Sequence, residues 1–136
     1  MAAAAKMKVM INGTRKYTVN VSGIFDTADE VDTIIINRSD LIGPDRQNAP
    51  TYIRIDRITW SVGAGFDYVV LQWDDAADEV IDYYQGQGFM DYLAAGAGKA
   101  MSAAPTTATE GDLLLTGSGG AAGDTYSFLI ECTLKN

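Results

Sequence analysis

The sequence predicts an all-β protein, a β-sandwich of about eight or nine strands with a jelly roll as the leading topology. Three features carry that expectation. Apolar side chains recur at every second position through most of the chain, the repeat of a half-buried strand. The alternating runs are short and separated by clusters of Gly, Pro, Asn and Asp. The one long stretch of small residues, 94–109, contains Gly96, Gly98 and Pro105. Each glycine costs a helix roughly 1 kcal/mol, so this stretch reads as a long surface loop.

Met7, Val9 and Ile11 alternate with Lys8 and Met10, and Tyr17, Val19 and Val21 alternate with Thr18, Asn20 and Ser22. Asn12-Gly13 between them suits a tight turn with positive φ, so residues 6–22 read as a hairpin. Residues 31–37 form a short run around Ile34-Ile35-Ile36. The loop 41–50 holds Pro44 and Pro50 with Gly43 and Asn48, which exclude regular pairing. In the strand 51–62, Ile53 and Ile55 share one face, while Ile58, Trp60 and Val62 share a face at the opposite parity. A slip of one residue at Asp56-Arg57 is what a β-bulge produces. Residues 66–73 are almost continuously apolar, which points to burial on both faces or to a central position in a sheet. Strands at 79–84, 89–93 and 110–116 follow. In the last strand Tyr126, Phe128, Ile130, Cys132 and Leu134 point inward, with Thr125, Ser127, Glu131, Thr133 and Lys135 outward.

The chain has 136 residues, enough for one domain, 6–136, behind a short alanine-rich N-terminal arm, 1–5, expected to be flexible. It contains no histidine and one cysteine. The usual means of general acid–base, nucleophilic and zinc chemistry are therefore missing or set into a strand, so the expectation is a protein that is not an enzyme and needs no cofactor. A formal net charge of -8 disfavours direct contact with nucleic acid. The first residues lack the order of a signal peptide, and no run approaches the roughly 18 apolar residues of a membrane helix. Folding in a cytoplasm without a membrane anchor is expected. The charge is segregated. Residues 1–25 carry Lys6, Lys8, Arg15 and Lys16 and no carboxylate, a balance of +4, while the rest carries 18 acidic and six basic residues, a balance of -12. Either the basic hairpin packs against its own acidic body, or Lys6, Lys8, Arg15 and Lys16 meet an acidic partner.

An acidic element occurs twice, as Asp26-Thr27-Ala28-Asp29-Glu30-Val31 and as Asp75-Ala76-Ala77-Asp78-Glu79-Val80. Clustered carboxylates suit Ca²⁺, which makes Asp26, Asp29, Glu30, Asp75, Asp78 and Glu79 candidate ligands, although the spacing is not that of an EF-hand. The competing reading is turn formation, in which Asp side chains cap tight connections. A glycosidase pair would need one carboxyl with a raised pKa in an aromatic cleft, and nothing in the sequence selects two such residues. Trp60, Tyr68, Trp73, Tyr83, Tyr84 and Tyr92 form either a carbohydrate-stacking platform or packing between strands. Gly96-Ala97-Gly98-Lys99 lacks the first glycine and the Ser/Thr of a phosphate loop.

Size, the Ala2–Ala5 arm, the strand count and the ending Gly111-Asp112-Leu113-Leu114-Leu115-Thr116 … Ala122-Gly123-Asp124-Thr125-Tyr126-Ser127-Phe128 together carry a resemblance. The chain resembles the small capsid decoration, or cement, proteins of tailed bacteriophages. The resemblance implies a virion structural protein on the capsid surface, made in the host cytoplasm. Its partner would be the major capsid protein, whose neighbouring subunits it would bridge, and it would act as a dimer or trimer. The other class open to such a chain is a β-sandwich binding module for carbohydrate, with or without calcium.

Overall fold

Alternation at a period of two becomes pleated strands once neighbours supply the backbone hydrogen bonds. The computed structural model describes residues 6–24, 31–92, 105, 107, 110–120 and 123–135. Within them lie β1 (Lys6–Asn12), β2 (Lys16–Ile24), β3 (Thr33–Ile36), β4 (Tyr52–Val62), β5 (Tyr68–Trp73), β6 (Glu79–Tyr84), β7 (Gln87–Asp91), β8 (Leu113–Ser118) and β9 (Thr125–Lys135). The arm 1–5 and most of the stretch 94–109 fall outside the described residues.

The strands form two antiparallel sheets, one in the order β1-β2-β9-β4-β7 and the other in the order β3-β8-β5-β6. Together they make a β-sandwich. Their inner faces share one core, to which β2 gives Val19 and Val21, β4 gives Ile53, Ile55 and Ile58, and β5 gives Val69, Leu71 and Trp73. From β9, Tyr126, Phe128, Ile130, Cys132 and Leu134 all point inward, as the alternation predicts. Each large apolar side chain so buried contributes roughly 1.5–3 kcal/mol before conformational entropy is counted. β5 is a central strand, between β8 and β6; Val69 and Leu71 join the core, and on its opposite face Val70 is buried while Tyr68 and Gln72 are half-buried.

The bulge expected in β4 is present. Ile55 pairs with Cys132 and Arg57 with Glu131, so Asp56 is the extra residue. Ile53 and Ile55 before it, and Ile58 and Val62 after it, therefore all reach the core. The hairpin turn differs from the expectation. Neither Asn12 nor Gly13 adopts positive φ. The ladder closes at Asn12–Tyr17, and Gly13 N–H donates to Lys16 C=O at 2.9 Å, a wider loop than a two-residue Asn-Gly turn. β7 begins at Gln87 rather than Phe89, because Gly86 alone, at φ 57°, makes the left-handed turn.

Two inner-face glycines lie opposite aromatic rings. Gly88 pairs with Trp60 and Gly23 with Tyr126, and a methyl group at either glycine would collide with the facing ring. Trp60 uses that space to pack edge-on against Tyr84, with ring centroids 4.9 Å apart, while its Nε1 donates to Gln85 C=O at 3.0 Å.

Beyond the strands, a buried arginine fastens the loops. Arg38 lies in a short 3-10 turn, Arg38–Asp40, that follows β3. Its Nε donates to Glu110 C=O at 2.8 Å, Nη1 to Pro50 C=O at 3.0 Å and Nη2 to Thr107 C=O at 3.2 Å. Its backbone N–H donates to Asp112 Oδ1 at 2.8 Å. One side chain thus ties the 37–50 loop to the chain entering β8.

Two outcomes test this packing. Burial keeps the Cys132 thiol out of reach and pushes its pKa up, so a thiol reagent should label it only after denaturation. Rapid labelling of the native protein would contradict the phase of β9. Gly88→Ala should destabilise by about 1–3 kcal/mol in a denaturant melt and alter the fluorescence of the native state, because Trp60 must move. An unchanged midpoint would contradict the placement of that ring.

Candidate functional site

The outer face of the first sheet can be read row by row from the pairing. Lys6, Ser22, Ser127, Ser61 and Gln87 lie side by side across the five strands. The next row is Lys8, Asn20, Leu129, Thr59 and Phe89. Small hydroxyl and amide side chains leave shallow, open depressions here, one of them bordered by Lys6, Ser22, Ser61, Thr125 and Ser127. At the other end Lys16, Thr133 and Arg54 align, with Asp56 beside them.

This face separates the four basic candidates. Lys6 and Lys8 stand exposed on β1, next to Ser22 and Asn20, with no ion-pair partner among the described residues. Arg15 sits in the hairpin loop, where its C=O accepts from Leu134 N–H at 2.8 Å. Lys16 turns onto the sheet, its Nζ 2.9 Å from Thr133 Oγ1 and 3.4 Å from Asp56 Oδ2. Lys16 thus pairs with the protein's own body, while Lys6 and Lys8 face outward.

Asp56 is nearly buried and accepts from Thr133 Oγ1 at 2.6 Å and from Arg54 Nε at 2.9 Å. Burial pulls its pKa upward, but the hydrogen bonds from Thr133 and Arg54 and the charges of Arg54 and Lys16 outweigh it and hold the carboxyl below the usual range. The bulge places this carboxylate where three donors meet.

What sets β1 apart is exposure. Every residue of Lys6–Asn12 is exposed, which is true of no other described strand. Met7 and Val9 (each 45% exposed), Met10 (56%) and Ile11 (52%) form an apolar edge. Its cause is topological. The first sheet has five strands and the second four, with β1 at the rim of the wider one. Met7 and Val9 pair with Val21 and Val19, so they continue the core-facing surface, yet they remain open to solvent. A register shift between Val9 and Ile11 then puts Ile11 opposite Thr18, on the other face.

The remaining clusters serve the fold. In the acidic turn Ala76 N–H donates to Asp75 Oδ1 at 2.7 Å and Asp75 N–H to Asp78 Oδ1 at 3.2 Å, which is the capping role open to such residues. Glu79 opens β6, opposite Trp73. Asp26, Asp29 and Glu30 lie outside the described residues. Among the described residues no group of three or more Asp, Glu or Cys is disposed to hold a metal ion. The six aromatic residues of the stacking expectation do not form a platform. Trp73, Tyr84 and Tyr92 are buried, Trp60 and Tyr68 are half-buried, and only Tyr83 is exposed. Tyr84 and Tyr92 share a hydrogen bond of 2.7 Å between their hydroxyls, and Tyr92 donates onward to Asp82 at 3.1 Å. Burial pushes the Tyr92 hydroxyl up to about 12 and Tyr84 higher still, so both stay protonated donors. Asp74 and Asp112 are raised, chiefly by burial and, at Asp74, by the neighbouring Asp78 and Glu110.

Compared with known proteins, the chain matches no family model, no curated protein and no solved structure.

Asp56 gives the face a pH signature. Its folded pKa is depressed, so its stabilisation is complete above the unfolded value of about 3.9 and is lost as pH falls through the folded value. Asp56→Asn should cost about 1–3 kcal/mol at pH 7, and the difference from the parent should shrink below about pH 4. Urea melts of both proteins at pH 7 and pH 3 measure this. A difference that persists unchanged into acid would contradict the role of its charge.

Proposed function

We propose that the chain is a virion structural protein, a capsid decoration protein that binds the outside of a phage shell and bridges neighbouring major-capsid subunits. The observation that carries the reading is β1. Sheet edges are blunted by lysine, by proline, by a bulge or by an overlying element, and β1 has two of these, its lysines and the bulge between Val9 and Ile11. Here a seven-residue edge still leaves four large apolar side chains open. Such a surface is what a partner-dependent protein presents.

The jelly-roll topology belongs to the same reading. With β1 set aside, β2-β9-β4-β7 faces β3-β8-β5-β6, two sheets of four strands between which the chain passes repeatedly. On a shell, each copy would add buried surface across a subunit boundary, and many identical contacts would act together. Assembly as a dimer or trimer is part of the proposal. A carbohydrate-binding surface has less support, because only Tyr83 of its six aromatic residues is exposed.

Mass spectrometry of purified particles tests the reading. The chain is expected at a fixed ratio to the major capsid protein. A Met7→Glu/Val9→Glu variant is expected to fold, because both side chains are already exposed, and to be depleted from particles by tenfold or more. Absence of the parent chain from particles would overturn the proposal.

A further inference from the structure

The free edge of β1 is specific about what it can take. Its unbulged part presents two chemically different faces. Lys6 and Lys8 stand on the outer face, beside Ser22 and Asn20, while Met7 and Val9 stand on the core-facing side, beside Val21 and Val19. Neither lysine has an ion-pair partner among the described residues. Residues 1–25 hold no carboxylate that could supply one from the same hairpin. A strand added to this edge would set its own residues directly opposite these, on matching faces.

A second β1 is a poor occupant. Two copies paired about a two-fold axis with faces matched set Lys8 against Lys8 or Lys6 against Lys8, and like charges directly opposed destabilise a ladder. The register centred on Val9 escapes that opposition but sets Met7 against Ile11. The bulge has turned those two onto opposite faces, so the ladder fails there.

We infer that β1 is a strand-addition site for an extended segment of a partner protein that carries Asp or Glu at alternate positions and apolar residues between them. The carboxylates of such a segment reach Lys6 and Lys8 on the outer face. Its apolar residues lie beside Met7 and Val9, covering the part of the inner surface that the four-stranded sheet leaves open. Backbone hydrogen bonds supply the affinity and the two lysines supply the choice of partner. The inference rests on the proposed role in assembly and names the chemistry of the shell segment that β1 would meet.

The test uses the full-length protein and a capped octapeptide alternating Glu and Val, with a Lys/Val octapeptide as control. Hydrogen exchange is followed residue by residue. The expected result is new protection confined to β1 with the Glu peptide and none with the Lys peptide. Lys6→Glu/Lys8→Glu should weaken the Glu peptide roughly tenfold, as two exposed ion pairs are lost, and should acquire binding of the Lys peptide. Protection elsewhere, equal binding of both peptides, or a concentration-dependent dimer that buries β1 in the free protein would each overturn the inference. The two proposals fail separately. Peptide binding by a chain absent from particles defeats only the capsid reading, and a particle-bound chain that ignores the charge exchange defeats only this one.

Discussion

The fold turns on one extra residue. β4 pairs with β9 along its length, and β9 is a strictly alternating strand that admits no slip. Without Asp56 as a bulge, either Ile53 and Ile55 or Ile58 and Val62 would face water, because a shift of one residue exchanges the two faces of a strand. Two buried isoleucines lost to solvent would cost about 3–6 kcal/mol, a large share of the stability of a domain this size. The bulge also determines what lies outside. It brings a carboxylate onto a face that already carries Arg54, Lys16 and Thr133, and those three hold it ionised. The same residue thereby fastens the start of β2 to the middle of the sheet.

From that sheet the exposed edge follows by geometry. β2, β9, β4 and β7 account for four strands, matching the four of the opposing sheet, and the hairpin adds a fifth. The fifth strand continues the apolar inner surface beyond the shared core. Met7 and Val9 are therefore exposed because of where β1 stands and not because of their own chemistry. Lys6 and Lys8 alternate with them and stand on the outer face, opposite Ser22 and Asn20. The rest of the polar chemistry holds the scaffold still: Arg38 spans two loops, Tyr84 and Tyr92 share a proton donor chain to Asp82, and the acidic turn caps itself.

Most of the scaffold was legible because its signal is local. The parity change at Asp56-Arg57, the inward set of β9 and the continuous apolar run of β5 are all written in consecutive residues. What escaped depends on residues far apart. Arg38 looks like an ordinary loop arginine between Asn37 and Ser39, and its Glu110 and Thr107 partners lie about seventy residues away. Gly23 and Gly88 mark no turn, since their purpose is the ring on the neighbouring strand. Tyr84 and Tyr92 carry no sign that they face each other and not a ligand. The exposure of β1 could not be read either. Met7, Val9 and Ile11 alternate as a buried strand would, and only the unequal widths of the two sheets leave them open.

Native-state hydrogen exchange of the free protein tests the central claim most directly, since the claim is that β1 is an unoccupied edge at the rim of the wider sheet. Amides of β1 that point away from β2 should exchange orders of magnitude faster than those of β9, which is paired on both sides and should approach the protection of global unfolding. Protection of β1 equal to that of β9 in the monomeric protein would mean that the edge is already covered, and the account of a surface held ready for a partner would be wrong.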